Sequence, residues 1–498
     1  MYIINGNNLN IHKVFEIILN NEKISLSTES IRNIKKSRDL VNKWVKEDKV
    51  IYGITTGFGE FKDVKISSSE IKTLQKNLII SHSTGVGKYI PDVIVRCMLL
   101  LRINSLANGF SGVRIELLNK LIEIFNKNII PLIPSQGSVG SSGDLAPLSH
   151  LAMCILGLGN AKDGNLKDGK IYSVKSLFKK YKINPIELEA KEGLALINGT
   201  QYMNSFLAKC VHDSYILSKL FDVSAVMSLE ALRGTDKAFD KKIQDIRPHK
   251  GQISSAYNFR KLIKGSKILI SHKNCGKVQD AYSLRCMPQV HGAVKDTLNY
   301  VKNITEIEMN SVTDNPLIFA EDNIHLEGGN FHGEPLALAA DFLAIAMSEL
   351  GNISERRIAR LVDGNLSGLP RFLTKNGGLN SGLMIAQYTA AALVSENKVL
   401  CHPASVDSIP TSANQEDHNS MGSVSAKKCY DVINNLKNIV AIEFLCASQG
   451  LDFLSPLKSG KGIQKAFDII RNNLPHISDD VIVSDYISEL KKIIFDNS

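Results

Sequence analysis

The sequence is short of aromatic residues and of proline. Its 498 residues include 1 Trp, 13 Tyr, 18 Phe and 14 Pro, while Ile, Leu, Ala, Lys and Asn are plentiful, a balance that leans towards helix. Cysteine is scattered. The eight, at 97, 154, 210, 275, 286, 401, 429 and 446, contain no C-x-x-C pair, which removes a zinc ribbon or a redox dithiol. They fit small packed hydrophobes in a reducing compartment.

Charge of one sign is not concentrated either. The 59 Lys and Arg against 50 Asp and Glu give +9, a thin excess over this length, so nucleic acid is not an expected partner. The densest basic patches, Lys35-Lys36-Ser37-Arg38 and Lys179-Lys180, read as solvated faces. The longest uncharged stretch, Asn376 to Ser395, carries Asn, Gly and Ser in its first half. The apolar remainder is too short to span a bilayer, so no membrane is expected. The N-terminus, MYIINGNNLNIHKVFE, has no basic region followed by an apolar core, so no signal peptide is expected and the cytoplasm is the expected location. There is no H-E-x-x-H and no G-x-x-x-x-G-K-[ST]. The one glycine-serine string reads G-x-x-G-x-x-G, which does not match the G-x-S-x-G elbow. No internal repeat or low-complexity tract is present.

What is there describes a soluble globular protein, 44% hydrophobic and 22% charged, long enough for two or three domains. Helical periodicity is expected at 28–48, with Ile31, Ile34, Val41, Trp44 and Val45 on one face. It returns at 69–82, ending with His82, then at about 92–107 and 113–127. The last of these has Ser111 placed to cap it and a stripe through Leu117, Leu118, Leu121, Ile122 and Phe125. Residues 160–168 read as an exposed hairpin or loop. From about residue 202 the chain turns overwhelmingly helical, over about 202–231, 288–310, 335–361, 383–400 and 420–449. Several of these helices are apolar on more than one face and must be buried, centrally or against other subunits. The expected fold is mainly α: a long central helix bundle over about 201–498, with a smaller mixed N-terminal region over about 1–200, in an oligomer.

Function concentrates at the breaks between helices. IYGITTGFGEF, 51–61, puts Tyr52 on a glycine-rich loop. His82, at a helix C-terminus, suits the dipole there as well as a site. GSVGSSGDLAPLSH, 137–150, sets three glycines around Ser141-Ser142-Gly143. Such a stretch serves equally as a tight turn, a phosphate cradle or a source of reactive hydroxyls, with Asp144 and a helix start adding charge and dipole nearby. The segments 278–292, 313–335 and 405–420 are dense in functional groups, and helix N-termini converging there would make a cavity electropositive.

Taken together, YGITTGFG, SHSTGVG, GSVGSSGDLAPLSHLA, EGLALINGTQ, KVQDAYSLRCMPQVHG and SVDSIPTSANQEDH resemble the histidine ammonia-lyases, within the aromatic amino acid ammonia-lyase family. LRGTDKAFDKKIQDIRPHKGQ, DNPLIF, GGNFHGEP and SGLMIAQYTAAALVSENK match too, so the resemblance runs in order from about 50 to 450. It implies one lyase-like chain over 1–498, a homotetramer with shared active sites, and the first step of histidine breakdown: L-histidine to trans-urocanate and ammonia. It also implies a 4-methylideneimidazol-5-one ring made autocatalytically from Ser141-Ser142-Gly143, with no external cofactor and no metal. The family pattern there is Ala-Ser-Gly, and Ser141 departs from it by a hydroxyl that stays outside the ring.

The resemblance further implies Tyr52 as the β-proton base, assisted by Tyr282. A phenol titrates near 10, so its surroundings would have to lower that value for it to act. Arg285 is implied for the substrate carboxylate, Asn198 and Gln279 for hydrogen bonds to the carboxylate or the ring, and Phe331, positioned by Asn330, for packing beside the ring. His82 and Glu416 are implied for the imidazole, Glu416 also for proton transfer. A tyrosine or phenylalanine ammonia-lyase or 2,3-aminomutase, whose pocket would be apolar there, is the alternative enzyme. A non-catalytic scaffold homologue, suggested only by Ser141, is the alternative outside catalysis.

Overall fold

Twenty α-helices, four short 3-10 helices and nine short strands are the elements among the described residues of the computed structural model, which are 1–59, 65–67, 69–166 and 168–495. The end of the 51–61 loop, and residue 167 of the 160–168 excursion, lie outside the described residues. The fold is mainly α, as the periodicity predicts. The long helices fall at Gln201–Ala231, Met287–Met309, Glu334–Val362, Met384–Leu400 and Gly422–Asp452. The structure adds helices that the periodicity does not predict, among them Ile11–Leu19, Lys250–Leu262, Lys461–Asn473 and Val483–Phe495.

The chain forms two compact units. The first comprises Met1–His212, Lys302–Asp341 and Pro403–Lys427. Its core is the Asp92–Ala107 helix, in which every residue from Ile94 to Ala107 is buried. A helix without a polar face has to be wrapped, and Ile11–Leu19, Thr28–Lys46 and Ile115–Asn126 pack against it. Leu117, Leu118, Leu121, Ile122 and Phe125 all face inward. Ser111 does not cap that last helix. The N-cap position is Arg114, whose N–H donates to Glu192 Oε1 at 3.0 Å; a partner 78 residues away replaces the local cap.

One further expectation changes and another holds. Arg38 is not on a solvated face; it is 7% exposed and donates to the Ala190 carbonyl at 2.9 Å and to Glu189 at 2.8 Å. Residues 160–168 do contain a hairpin arm, because Asn160–Asp163 pairs antiparallel with Ile171–Ser173.

The second unit comprises Asp213–Val301, Phe342–His402 and Lys428–Ser498. Within it three long helices meet at Glu443, which is fully buried. Its carboxylate accepts from Ser224 and Ser228 at 2.8 Å, from Ser354 at 2.7 Å, and from Arg357 Nε and Nη2 at 2.5 and 3.0 Å. Burial alone would raise the Glu443 pKa, but Arg357 and the serine donors hold it below the usual value. A buried charge is tolerated on those terms.

Glu334–Val362 is long and apolar enough to cross a membrane, but 61% of its most apolar window is buried inside the protein, as in a core helix. Its Asp341 accepts from the N–H groups of Ala404 and Ser405 at 2.8 Å. Five cysteines, Cys97, Cys154, Cys210, Cys429 and Cys446, are buried, while Cys275 is exposed.

Candidate active site

Three helix ends of the first unit frame the Ser141-Ser142-Gly143 turn. Ile71–His82, Ala146–Met153 and Glu192–Ile197 pack on one another, and strands Val86–Tyr89 and Pro134–Gln136 pair antiparallel, which draws His82 towards the turn. Gly85 donates its N–H to His150 Nε2 at 3.0 Å, tying the two segments a second time.

The turn is held by glycine at the point where a side chain cannot fit. Gly143 has φ +76 and forms a parallel bridge with Gly199; a Cβ at Gly143 would stand 2.1 Å from the Gly199 oxygen. Asp144 donates its N–H to that same oxygen at 2.7 Å. Its carboxylate does not cap the helix that follows. It is fully buried and accepts from the N–H groups of Tyr202 and Met203 at 2.6 and 3.3 Å, at the start of the Gln201–Ala231 helix. Burial pushes its carboxyl up to about 8, against the opposing pull of those N–H groups and of Arg102.

Ser141 is buried and Ser142 half-buried. The Ser142 hydroxyl donates to Glu416 Oε1 at 2.8 Å, and Thr411 Oγ1 donates to Glu416 Oε2 at 2.9 Å. Glu416 is fixed by its backbone bridge to Thr411. The intervening Ser412, Ala413 and Asn414 all have left-handed φ, at 52, 52 and 67°, a tight reversal that non-glycine residues rarely make.

Tyr52, His82, Ser142, Asn198 and Glu416 line one cavity of about 800 Å³, with Leu78, Leu194 and Ile197 as its apolar wall. Among the described residues Asn198 Oδ1 is buried there without a hydrogen-bond partner, an acceptor left for a ligand. A smaller cavity of about 260 Å³ adjoins it, sharing His82 and Glu416 and taking in Ser141 and Thr411. Burial lowers the His82 pKa despite the Leu78 backbone and Glu416, so its imidazole is neutral near pH 7. Burial raises the Tyr52 pKa, and Glu416 and Glu327 raise it further against a hydrogen bond from the Gly59 N–H. Within this unit the surroundings of the phenol are not electropositive.

Tyr282, Gln279 and Arg285 belong to the second unit. There Tyr282 is 69% exposed, its ring is stacked under the Arg285 guanidinium at 4.6 Å, and Gln279 is exposed. Phe331 and Asn330 are in the first unit but do not line the cavity; Asn330 Nδ2 donates to the Val312 carbonyl at 3.2 Å. Sequence reasoning missed Thr411, which has no signal beyond its place beside Glu416. It also missed His332, Glu334 and His418, whose ligand atoms lie within 4.8 Å of one another; His332 Nε2 there faces the His418 carbonyl at 3.2 Å.

A buried serine-glycine turn, a carboxylate on the serine hydroxyl, and a tyrosine, histidine and asparagine around one cavity can bind a small polar molecule and move protons at it. Comparison with known proteins agrees on the type. The aromatic amino acid lyase family model matches residues 9–472. The histidine ammonia-lyase of Alkaliphilus oremlandii is 51% identical over 493 residues, covering 99% of this chain and 96% of that protein. Among solved structures, histidine ammonia-lyase from Trypanosoma cruzi superposes with TM-score 0.92 at 43% identity, over 100% of this chain and 93% of that one. Tyrosine aminomutase from Streptomyces globisporus gives 0.93 at 36%, over 99% and 96%. With the family model spanning nearly its whole length, the chain belongs to the aromatic amino acid lyase family.

Proposed function

We propose that the chain is a carbon–nitrogen lyase that removes ammonia from L-histidine to give trans-urocanate, the opening step of histidine degradation. The observation that carries this is the polar end of the cavity. Glu416, on the Ser142 hydroxyl at 2.8 Å, shares the cavity with His82, which offers polar partners to a substrate ring with two nitrogens and nothing that a phenyl ring can hydrogen-bond.

Residues 141–143 fit a self-made 4-methylideneimidazol-5-one. Gly143 occupies a place where any Cβ would collide with Gly199, and Ser142 opens onto the cavity. In ring closure the Gly143 nitrogen bonds to the Ser141 carbonyl carbon. That carbonyl oxygen leaves as water with the Gly143 and Ser142 amide hydrogens. A second water takes the Ser142 hydroxyl and Cα hydrogen, leaving the methylidene carbon. When formed, the ring supplies an electrophile that turns the substrate amine into a better leaving group.

The chain's own side chains do the rest. Tyr52 takes the β-proton, assisted by Tyr282. Arg285 binds the carboxylate as a fork. Asn198 and Gln279 fix carboxylate or ring by hydrogen bonds, and Phe331 packs alongside with Asn330 behind it. Glu416 and His82 hold the imidazole. Assembly as a homotetramer in the cytoplasm, with shared sites, completes the reading. Tyr300, Phe342 and Ile345, 42–48% exposed along one apolar groove of the second unit, support the oligomer.

Incubation with histidine, tyrosine and phenylalanine, followed by ultraviolet absorbance of the unsaturated acid, tests the substrate. Turnover of tyrosine or phenylalanine alone assigns the alternative lyase or aminomutase. An intact mass equal to that of the unmodified sequence, without turnover, assigns the scaffold.

A further inference from the structure

Arg102 is, with Arg357, the largest fully buried side chain among the described residues. It sits on the Asp92–Ala107 helix, among residues that are buried on every side. Taking a guanidinium out of water is costly unless its hydrogen bonds are replaced, so what it binds there matters. It makes no hydrogen bond to a carboxylate among the described residues: nearby Asp314 is paired with Lys191 at 2.7 Å. Nη1 donates instead to the Asn198 carbonyl at 2.7 Å and to Gln201 Oε1 at 2.9 Å. The Gln201 amide passes the contact on to Thr313 Oγ1 at 2.9 Å.

Between those two acceptors lies Gly199. Its φ is +144, and a Cβ there would meet Arg102 Nη1 at 2.7 Å and Gln201 Oε1 at 2.6 Å. The Gly199 carbonyl is the group against which Gly143 rests and to which Asp144 donates. On the other side the Asp144 carboxylate holds Tyr202 and Met203 by their N–H groups. Residues 198–203 are therefore gripped from both sides, at the place where the serine-glycine turn leans on them. A guanidinium committed to one backbone carbonyl and one amide gains less than it would from a carboxylate, which makes it a poor stabiliser for its desolvation cost and a good fixture.

We infer that Arg102 is a positioning residue for closure of the Ser141-Ser142-Gly143 ring. It fixes the Asn198–Gln201 backbone so that Gly143 is kept in its turn and the Gly143 nitrogen stays close to the Ser141 carbonyl carbon, as proximity in an intramolecular reaction requires. The inference rests on the ring reading above, and the bonds made and broken are those given there.

The test is the intact mass of the purified full-length chain, followed over time after synthesis, with melting temperature measured alongside. The set comprises the unchanged chain, Arg102→Gln, Arg102→Lys and Arg96→Gln. Arg96 is a fair control because it lies on the same helix and is 7% exposed, but bonds Asn128 and stacks on Phe125 at 4.5 Å. The unchanged chain is expected to be lighter by two waters. Arg102→Gln is expected to lose them at least about tenfold more slowly, Arg102→Lys at an intermediate rate, and Arg96→Gln at the unchanged rate even where its melting temperature falls. Dehydration of Arg102→Gln at the unchanged rate overturns the inference, and so does an equal delay in Arg96→Gln. Where Arg102→Gln does not fold, Arg102→Lys decides: a lysine retains the charge but ends one bond short of Nη1, the single nitrogen that reaches both acceptors, and unchanged kinetics in it overturn the inference. If the unchanged chain itself keeps both waters, the ring reading fails first and takes this one with it.

Discussion

The Ser142 hydroxyl donates to Glu416 across 274 positions of sequence, at 2.8 Å. One carboxylate thus touches the residue proposed to become the electrophilic carbon and lines the cavity proposed to take the substrate ring. Glu416→Gln keeps the shape and removes the charge. We predict a drop of about a hundredfold in kcat/KM for histidine, with little change in melting temperature, measured by steady-state kinetics and thermal unfolding.

Tyr52→Phe removes the proposed base while leaving the ring of the side chain in place. A fall in kcat of about 10² to 10⁴ is expected, with two waters still missing from the intact mass. Because burial and the carboxylates of Glu416 and Glu327 raise the Tyr52 pKa, its reactive phenolate becomes more abundant as pH rises. The pH profile of kcat/KM should therefore climb on the alkaline side, and Glu416→Gln should move that rise to lower pH. A rise that persists in Tyr52→Phe rejects the assignment.

His82 gives a stability prediction. Its folded pKa is lowered below 6.5 by burial, so between the two values the unfolded chain binds the extra proton. Folding stability then increases with pH through that window and is lost as pH falls through it. His82→Asn should flatten this part of the pH–stability curve in chemical denaturation.

Gly143→Ala meets both a left-handed φ of +76 and the Gly199 oxygen at 2.1 Å. It is expected to lower stability by at least about 1 kcal/mol and to leave the chain at its full, unmodified mass. Ser141→Ala, by contrast, restores the usual family tripeptide and should dehydrate as the unchanged chain does.

Arg357→Leu leaves Glu443 buried with its serine donors but no cation. A loss of about 3–5 kcal/mol is expected, the usual cost of an uncompensated buried charge. The double variant Arg357→Leu with Glu443→Leu should recover part of it. Denaturant midpoints of the single and double variants measure both.

The long helices could be read from the sequence because they are long: 31 residues of apolar spacing outweigh any local ambiguity, and Gln201–Ala231 and Gly422–Asp452 lie where the pattern predicts. Shorter amphipathic helices such as Lys461–Asn473 could not. Their stability comes from the surface they pack on, which periodicity does not reveal. The site divides in the same way. Tyr52, His82, Ser142, Asn198 and Glu416 were accessible through long motif strings, and they share a cavity. Asp144 stood inside one of those strings, yet its task is to hold Tyr202 and Met203. Thr411 and Arg102 act through partners that are remote in sequence or fixed by one loop's shape, and no spacing rule marks them.

The contact between Gly143 and Gly199 joins segments that meet only once the chain has folded. If ring closure depends on it, dehydration happens only to molecules that have reached this arrangement. The missing waters would then act as a permanent stamp. After denaturation, mass alone would separate chains that had once been native from chains that never were.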